Sequence, residues 1–277
     1  MPLTGVVGLA GYLGTLHVGR AVMQGAANRI WPGCPVLEPV VELGGSGRVV
    51  GEEMLYRPGW RGFGGFPRSV SHWRRWYRRI CSEHIPRRLD AGPGSGWVAL
   101  NVHGWQVLDP WILAEVAGLG RYGDRLVVEW TEDAKGMTHR RAARYLVRLR
   151  EEYGFQLSVD DAGAGSDAME RISLVNPDWV KVDGEMFTRA RWSAESRIAI
   201  RALVRVAGDL GAKTVVEYVE TAEDLARARS LGADYGQGWY WGSGAGSGAG
   251  AGVRERGDSE VAAVSARPAG GRGGLSS

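Results

Sequence analysis

Cysteine is almost missing from this chain: the 277 residues include only Cys34 and Cys81, far apart and in no metal-binding spacing. That excludes a disulfide-built scaffold and a thiolate metal centre, and it fits reduced thiols in a cytoplasmic protein. No apolar run reaches the roughly 18 residues that a membrane-spanning helix needs, so no transmembrane segment is expected. The first residues, TGVVGLAGYLGTLHVGRAV, are apolar but broken by glycine. They lack a basic leading region and a clean small-residue cleavage site, so a signal peptide is not expected either. Lysine is as scarce as cysteine. Lys135, Lys181 and Lys213 stand alone among basic residues that are otherwise arginine, which makes each of them worth separate inspection.

Arginine is concentrated where lysine is absent. Residues 68–88, RSVSHWRRWYRRICSEHIPRR, interleave arginines with Trp73, Trp76 and Tyr77. Such a segment can bind nucleic acid or an anionic membrane face. It can equally be an amphipathic surface helix whose tryptophan side packs inward, and that is the expectation here, with no duplex nucleic acid as partner. The net charge is +3 and the pI about 9.0, and 44% of the residues are apolar, ordinary for a globular protein.

Residues 1–33 carry no clear periodicity and form an N-terminal extension. From there strands and helices alternate. VLEPVVEL (36–43) and RVVGEEMLYR (48–57) read as strands joined by GGSG, a hairpin signal. WVALNVH (97–103), RLVVEWTE (125–132), FQLSVDD (155–161), WVKVD (179–183), KTVVEYVE (213–220) and ADYGQGWYW (233–241) are further strands. Helical patterns cover 72–85, 108–119, 138–153, 166–175, 194–210 and 221–231, with Gly154 and Gly232 as stops and Thr221 as an N-cap. The fold class is therefore α/β: a (β/α)₈ TIM-like barrel over 34–242 whose first strand runs antiparallel. The Gly/Ala/Ser-rich residues 243–277 cannot bury enough apolar surface to order themselves and are read as a disordered tail.

Each strand is apolar until its C-terminal end, where a polar group stands: Glu53, Asn101, Glu129, Asp160 with Asp161, Lys181, Glu217 and Gln237. One such residue alone is usually a cap or a surface residue. In a barrel, however, all these ends converge on one face, where such folds hold their chemistry. Carboxylates crowded together raise one another's pKa or recruit a cation. Oxygen ligands without cysteine or histidine point to a hard ion, Mg²⁺, with Mn²⁺ also suitable. The pair Asp160–Asp161 can face two ions, and a pair of ions activates a water for in-line phosphoryl displacement. Lys181 would then orient that water or balance developing negative charge. A Schiff-base role for Lys181 needs a depressed pKa, whereas the nearby acids would keep it protonated.

At these residues the chain resembles the EAL family of bacterial cyclic-di-GMP phosphodiesterases. Its motifs appear in order as Glu53-Met54-Leu55, LNVHGWQ with Asn101, Glu129-Trp130-Thr131, DDAGAG, VKVD, VVEYVET and YGQGWY. The resemblance implies that Glu53, Asn101, Glu129 and Asp160 bind one metal and that Asp160 and Asp161 share a second, with Glu217 close by. It implies Lys181 on the catalytic water, with Glu53 and Glu217 serving catalysis as well as binding. Gln237 supports the site, Arg57 holds a substrate phosphate, and Glu220 steadies the loop after Asp161. The implied reaction is hydrolysis of cyclic di-GMP to linear pGpG in a homodimer. The alternative it allows is a catalytically impaired receptor that binds the nucleotide without cleaving it. The chain departs from the family pattern at Glu38, at Met54, at Tyr218 where glycine is usual, in the loop GAGSDAM, and in a shortened segment before Asn101. None of these removes a metal ligand.

Overall fold

The computed structural model describes residues 35–45, 47–55, 69–92, 96–131, 139–163 and 167–242. The extension 1–33, Arg57 and the tail 243–277 lie outside these residues. Strands buried on both faces read as continuous apolar runs, and two of them are buried at every position: β4 (Leu126–Trp130) and β6 (Trp179–Val182). With β1 (Val36–Glu42), β2 (Val49–Leu55), β3 (Trp97–Val102), β5 (Gln156–Ala162), β7 (Lys213–Val216) and β8 (Tyr235–Gln237) they close into a barrel in chain order. β1 is antiparallel to both of its neighbours, pairing Glu38 with Glu53 on β2 and Val40 with Gln237 on β8; every other pairing is parallel.

Alternation along the strands sorts the interior into layers. Val40, Ala99, Val127, Trp179 and Val215 form an apolar cluster inside the barrel, with Trp97 and Tyr235 packed against it. The Trp179 ring lies 4.9 Å from Trp97 and 5.1 Å from Tyr235. Gly51 makes room for this plug, since a Cβ there would lie 2.1 Å from the Trp97 ring. Two positions further along the same strands come the polar residues: Asn101 after Ala99, Glu129 after Val127, Lys181 after Trp179, Glu217 after Val215 and Gln237 after Tyr235. The plug thus fills one end of the barrel and leaves a polar mouth at the other.

The helical layer differs from the sequence expectation in three places. The helix expected over 72–85 is α1 (Val70–Arg79), a π turn (Ile80–His84) and α2 (Ile85–Leu89). Pro86 has no N–H to continue the ladder, and just before it the Ile85 N–H reaches back five residues to the Ile80 carbonyl. The helix expected over 108–119 is α4 (Pro110–Ala117), and an unexpected short helix, α3 (Gly104–Val107), precedes it; the two stay separate because Asp109 caps a fresh start by accepting from the Trp111 and Ile112 amides. After β6 an unexpected short helix, α7 (Gly184–Arg189), begins where the Asp183 carboxylate accepts from the Glu185 and Met186 amides. Among the described residues the remaining α-helices are α5 (His139–Tyr153), α6 (Ala168–Val175), α8 (Ala194–Asp209) and α9 (Ala222–Leu231). β7 and β8 are shorter than their sequence patterns, because Tyr218 turns at φ +58° and Gly238 at φ +146°.

Candidate active site

Strand geometry carries Glu53, Asn101, Glu129, Asp160, Asp161, Lys181, Glu217 and Gln237 to the same mouth, and all but Glu129 line a cleft of about 440 Å³ there. Glu129 lies just beneath, bonded to the same ammonium group. That ammonium, on Lys181, is the centre of the site. It is buried, and it stands 2.6 Å from Glu129, 2.7 Å from Glu217, 3.0 Å from Glu53 and 3.1 Å from Asp160. An ammonium has three protons to give. Four carboxylates exceed that supply, and Asp160 Oδ1 is buried with no hydrogen bond.

Amide side chains complete the ring. Gln237 Nε2 donates to Glu53 Oε2 at 2.7 Å, and Asn101 Nδ2 donates to Glu53 Oε1 at 2.5 Å. The amide oxygens, Asn101 Oδ1 and Gln237 Oε1, are buried without a donor. Asp160, Asp161 and Glu217 bring carboxylate oxygens within 4.8 Å of one another. One cation against five acids, with buried amide and carboxylate oxygens that lack a hydrogen bond, is a donor set short of positive charge. It fits hard divalent ions bound through oxygen.

Burial and charge pull these groups apart. For Lys181, burial alone would lower the pKa, but Asp160, Glu129, Glu217 and Glu53 outweigh it and hold the ammonium well above its usual range. Burial would raise Glu53, yet Lys181 and the two amide hydrogen bonds keep it below the usual carboxylate value. Glu129 has no such amides. Burial, with Glu53 and Asp160 beside it, pushes its carboxyl well up despite Lys181. Burial and then Asp160 push Asp161 up to about 6. Burial, with Asp160 and Glu53 against Lys181, pushes Glu217 up to about 8. A lysine held this firmly protonated is the opposite of a Schiff-base nucleophile.

Three aromatic residues of the 68–88 segment, read from the sequence only as the inward side of an amphipathic helix, stand at the mouth. The Tyr77 hydroxyl lies 2.6 Å from the Asn101 carbonyl oxygen and 2.7 Å from Gln106 Oε1, tying α1 and α3 to β3 beside the Asn101 amide. The Gln within LNVHGWQ was the one available hint. Trp73 and Trp76 line the cleft and pack on the core. Three arginines of the segment pair with acids: Arg74 with Asp109 at 2.9 Å, Arg78 with Glu115 at 3.4 Å, and Arg88 with Glu52. Glu220 does not reach the mouth. Its side chain is exposed, and its backbone N–H donates to Asp224 at 3.4 Å; residues 164–166 of the loop it was expected to steady lie outside the described residues.

A sequence profile of the EAL domain matches residues 74–243. The chain belongs to the EAL-domain family. Within that family it is 30% identical over 115 residues to the cyclic di-GMP phosphodiesterase PdeF of Escherichia coli, a match covering 42% of this chain and 15% of PdeF. The chain thus spans less than a fifth of that relative. Among solved EAL structures, it superposes on the manganese and cyclic-di-GMP complex of Klebsiella pneumoniae BlrP1 with a TM-score of 0.63 at 25% identity, covering 76% of this chain and 56% of BlrP1. It superposes on Bacillus subtilis YkuI, solved with cyclic di-GMP and calcium, with a TM-score of 0.59 at 24% identity over 75% of this chain and 53% of YkuI. The latter likeness establishes the shared barrel.

Proposed function

We propose that this EAL domain hydrolyses one phosphodiester bond of cyclic di-GMP, giving linear pGpG, with two divalent cations, Mg²⁺ or Mn²⁺. The observation that carries the reading is the buried Lys181 ammonium ringed at the barrel mouth by four carboxylates, of which Asp160 Oδ1 has only the ion pair and no hydrogen bond. Glu53, Asn101, Glu129 and Asp160 would hold one cation, and Asp160, Asp161 and Glu217 the other. Cations bound there would neutralise phosphoryl oxygens and activate a water as nucleophile.

The chain's own groups do the rest. Gln237 and Asn101 fix both oxygens of Glu53, so that carboxylate cannot swing away. Lys181, kept protonated by its four acids, donates toward the attacking water and the charge that grows on the phosphoryl group. Arg57 offers a guanidinium fork to a substrate phosphate. The water oxygen bonds to phosphorus as the P–O3′ bond breaks, leaving a 5′-phosphate and a free 3′-hydroxyl. The reading extends to a cytoplasmic homodimer with the barrel spanning 34–242. Sedimentation of the purified chain at micromolar concentration tests the dimer.

The deciding experiment incubates the chain with cyclic di-GMP and Mg²⁺ or Mn²⁺ and separates the products by chromatography. Appearance of pGpG that EDTA abolishes is the expected result. Tight binding with the nucleotide unchanged would instead establish a receptor.

A further inference from the structure

The acids and Lys181 at the mouth deal with phosphate and metal, and none of them reads a base. Tyr218 stands directly after Glu217, at φ +58°, in the left-handed region that glycine enters freely and other L-residues enter at a cost. An exposed loop has no packing need for a large ring there, and the Tyr218 side chain is in fact 53% exposed. The ring is nevertheless held in place. It rests on Gly184, the first residue of α7, so closely that a Cβ at that glycine would lie 2.4 Å from the Tyr218 Cγ. From that seat it lines the cleft together with Glu217 and Asp161. Backbone strain kept at a cleft rim, on a residue whose ring is open to solvent on one side, marks a functional constraint more readily than a structural one.

We propose that Tyr218 is the stacking platform for one nucleobase of the bound dinucleotide and so a base-binding residue of this site. The inference rests on the reading that the cleft takes cyclic di-GMP, and it adds which side chain recognises the base as distinct from the phosphodiester. Stacking on an aromatic face needs the ring and not the hydroxyl, and it tolerates different bases because every base has a π-face. Gly184 serves as the other half of the device by leaving room for the ring to lie flat against the backbone of α7.

The test titrates cyclic di-GMP calorimetrically into the full chain in Ca²⁺ and, in parallel, measures turnover in Mn²⁺. Tyr218→Phe is expected to bind within about twofold of the wild type, whereas Tyr218→Gly and Tyr218→Ala bind roughly 5- to 150-fold more weakly. KM is expected to rise by a similar factor with kcat little changed. Gly184→Ala, which displaces the ring without removing it, is expected to weaken binding in the same direction. Melting temperature separates binding from folding: Tyr218→Gly relieves the strained φ and is expected to melt no lower than the wild type. Equal affinity for the wild type, Tyr218→Gly and Tyr218→Ala overturns the platform and leaves the phosphodiesterase reading standing. Tyr218-dependent binding with no turnover supports the platform and overturns hydrolysis. A wild type that does not bind cyclic di-GMP at all overturns both.

Discussion

Lys181 decides how the site behaves when it holds no metal. Its single charge is shared among Glu53, Glu129, Asp160 and Glu217 inside a buried mouth. Breaking a buried ionic cluster by removing one partner typically costs about 3–5 kcal/mol. Lys181→Ala is therefore expected to lower the stability of the metal-free chain by about that amount, read as a shift in the urea midpoint, with Mn²⁺ restoring most of it. Turnover in saturating Mn²⁺ is expected to fall roughly 10²–10³-fold, the usual consequence of losing one donor to developing charge. Near-normal turnover would remove Lys181 from the chemistry. The acids carry a pH prediction. Asp161 moves from 3.8 in its ordinary state to about 6, and Glu217 from 4.5 to about 8. Both folded values are raised, so between these limits the folded chain holds protons that the unfolded chain has released. The contribution of these two carboxyls is therefore destabilising as pH rises from about 4 to about 8. Urea melts of EDTA-treated protein are expected to show lower stability at pH 8 than at pH 5, and Mn²⁺ should abolish the fall because the ionised acids then bind the cation. A metal-free profile flat across that interval would contradict the assignment.

At the scale of elements, the strand ends place the chemistry and the turns hold it there. Gly238 follows Gln237 at φ +146°, and a Cβ on it would lie 2.5 Å from the Val219 backbone oxygen. Gly238→Ala is expected to cost about 3 kcal/mol, near the top of the range for overpacking, and to displace Gln237 from Glu53. Thermal melting and turnover should fall together, in contrast to Tyr218→Gly. The strands could be read because doubly buried strands are apolar until they reach the mouth, so Glu129 and Lys181 interrupt otherwise continuous runs. α5 and α9 could be read because each is long enough to show a period and ends at a glycine with positive φ, Gly154 and Gly232. α7 could not, because six residues make less than two turns and its start depends on the Asp183 cap. The π turn depends on Pro86 inside a pattern that otherwise reads as one helix. The bond of Tyr77 to Gln106 joins residues 29 apart across α1 and α3, and no local pattern encodes it.

For the molecule as a whole, ligand binding and folding are one equilibrium. A cation that binds the folded mouth and not the unfolded chain stabilises by about 2.7 kcal/mol at a hundredfold excess over its Kd. The melting temperature is expected to rise with Mn²⁺ or Mg²⁺ and to saturate, and Glu53→Ala with Asp160→Ala should blunt the rise. The direction of the first strand has a separate consequence. Because β1 runs against its neighbours, its opening residues stand at the chemical end of the barrel, Glu38 beside Glu53 and Val36 beside Leu55. In a wholly parallel barrel the leading strand would begin at the plugged floor. Here the polypeptide enters by the doorway. A regulator tethered upstream would be wired straight to the threshold that substrate crosses, and a tug on its leash would reach Glu53 before it reached the foundations.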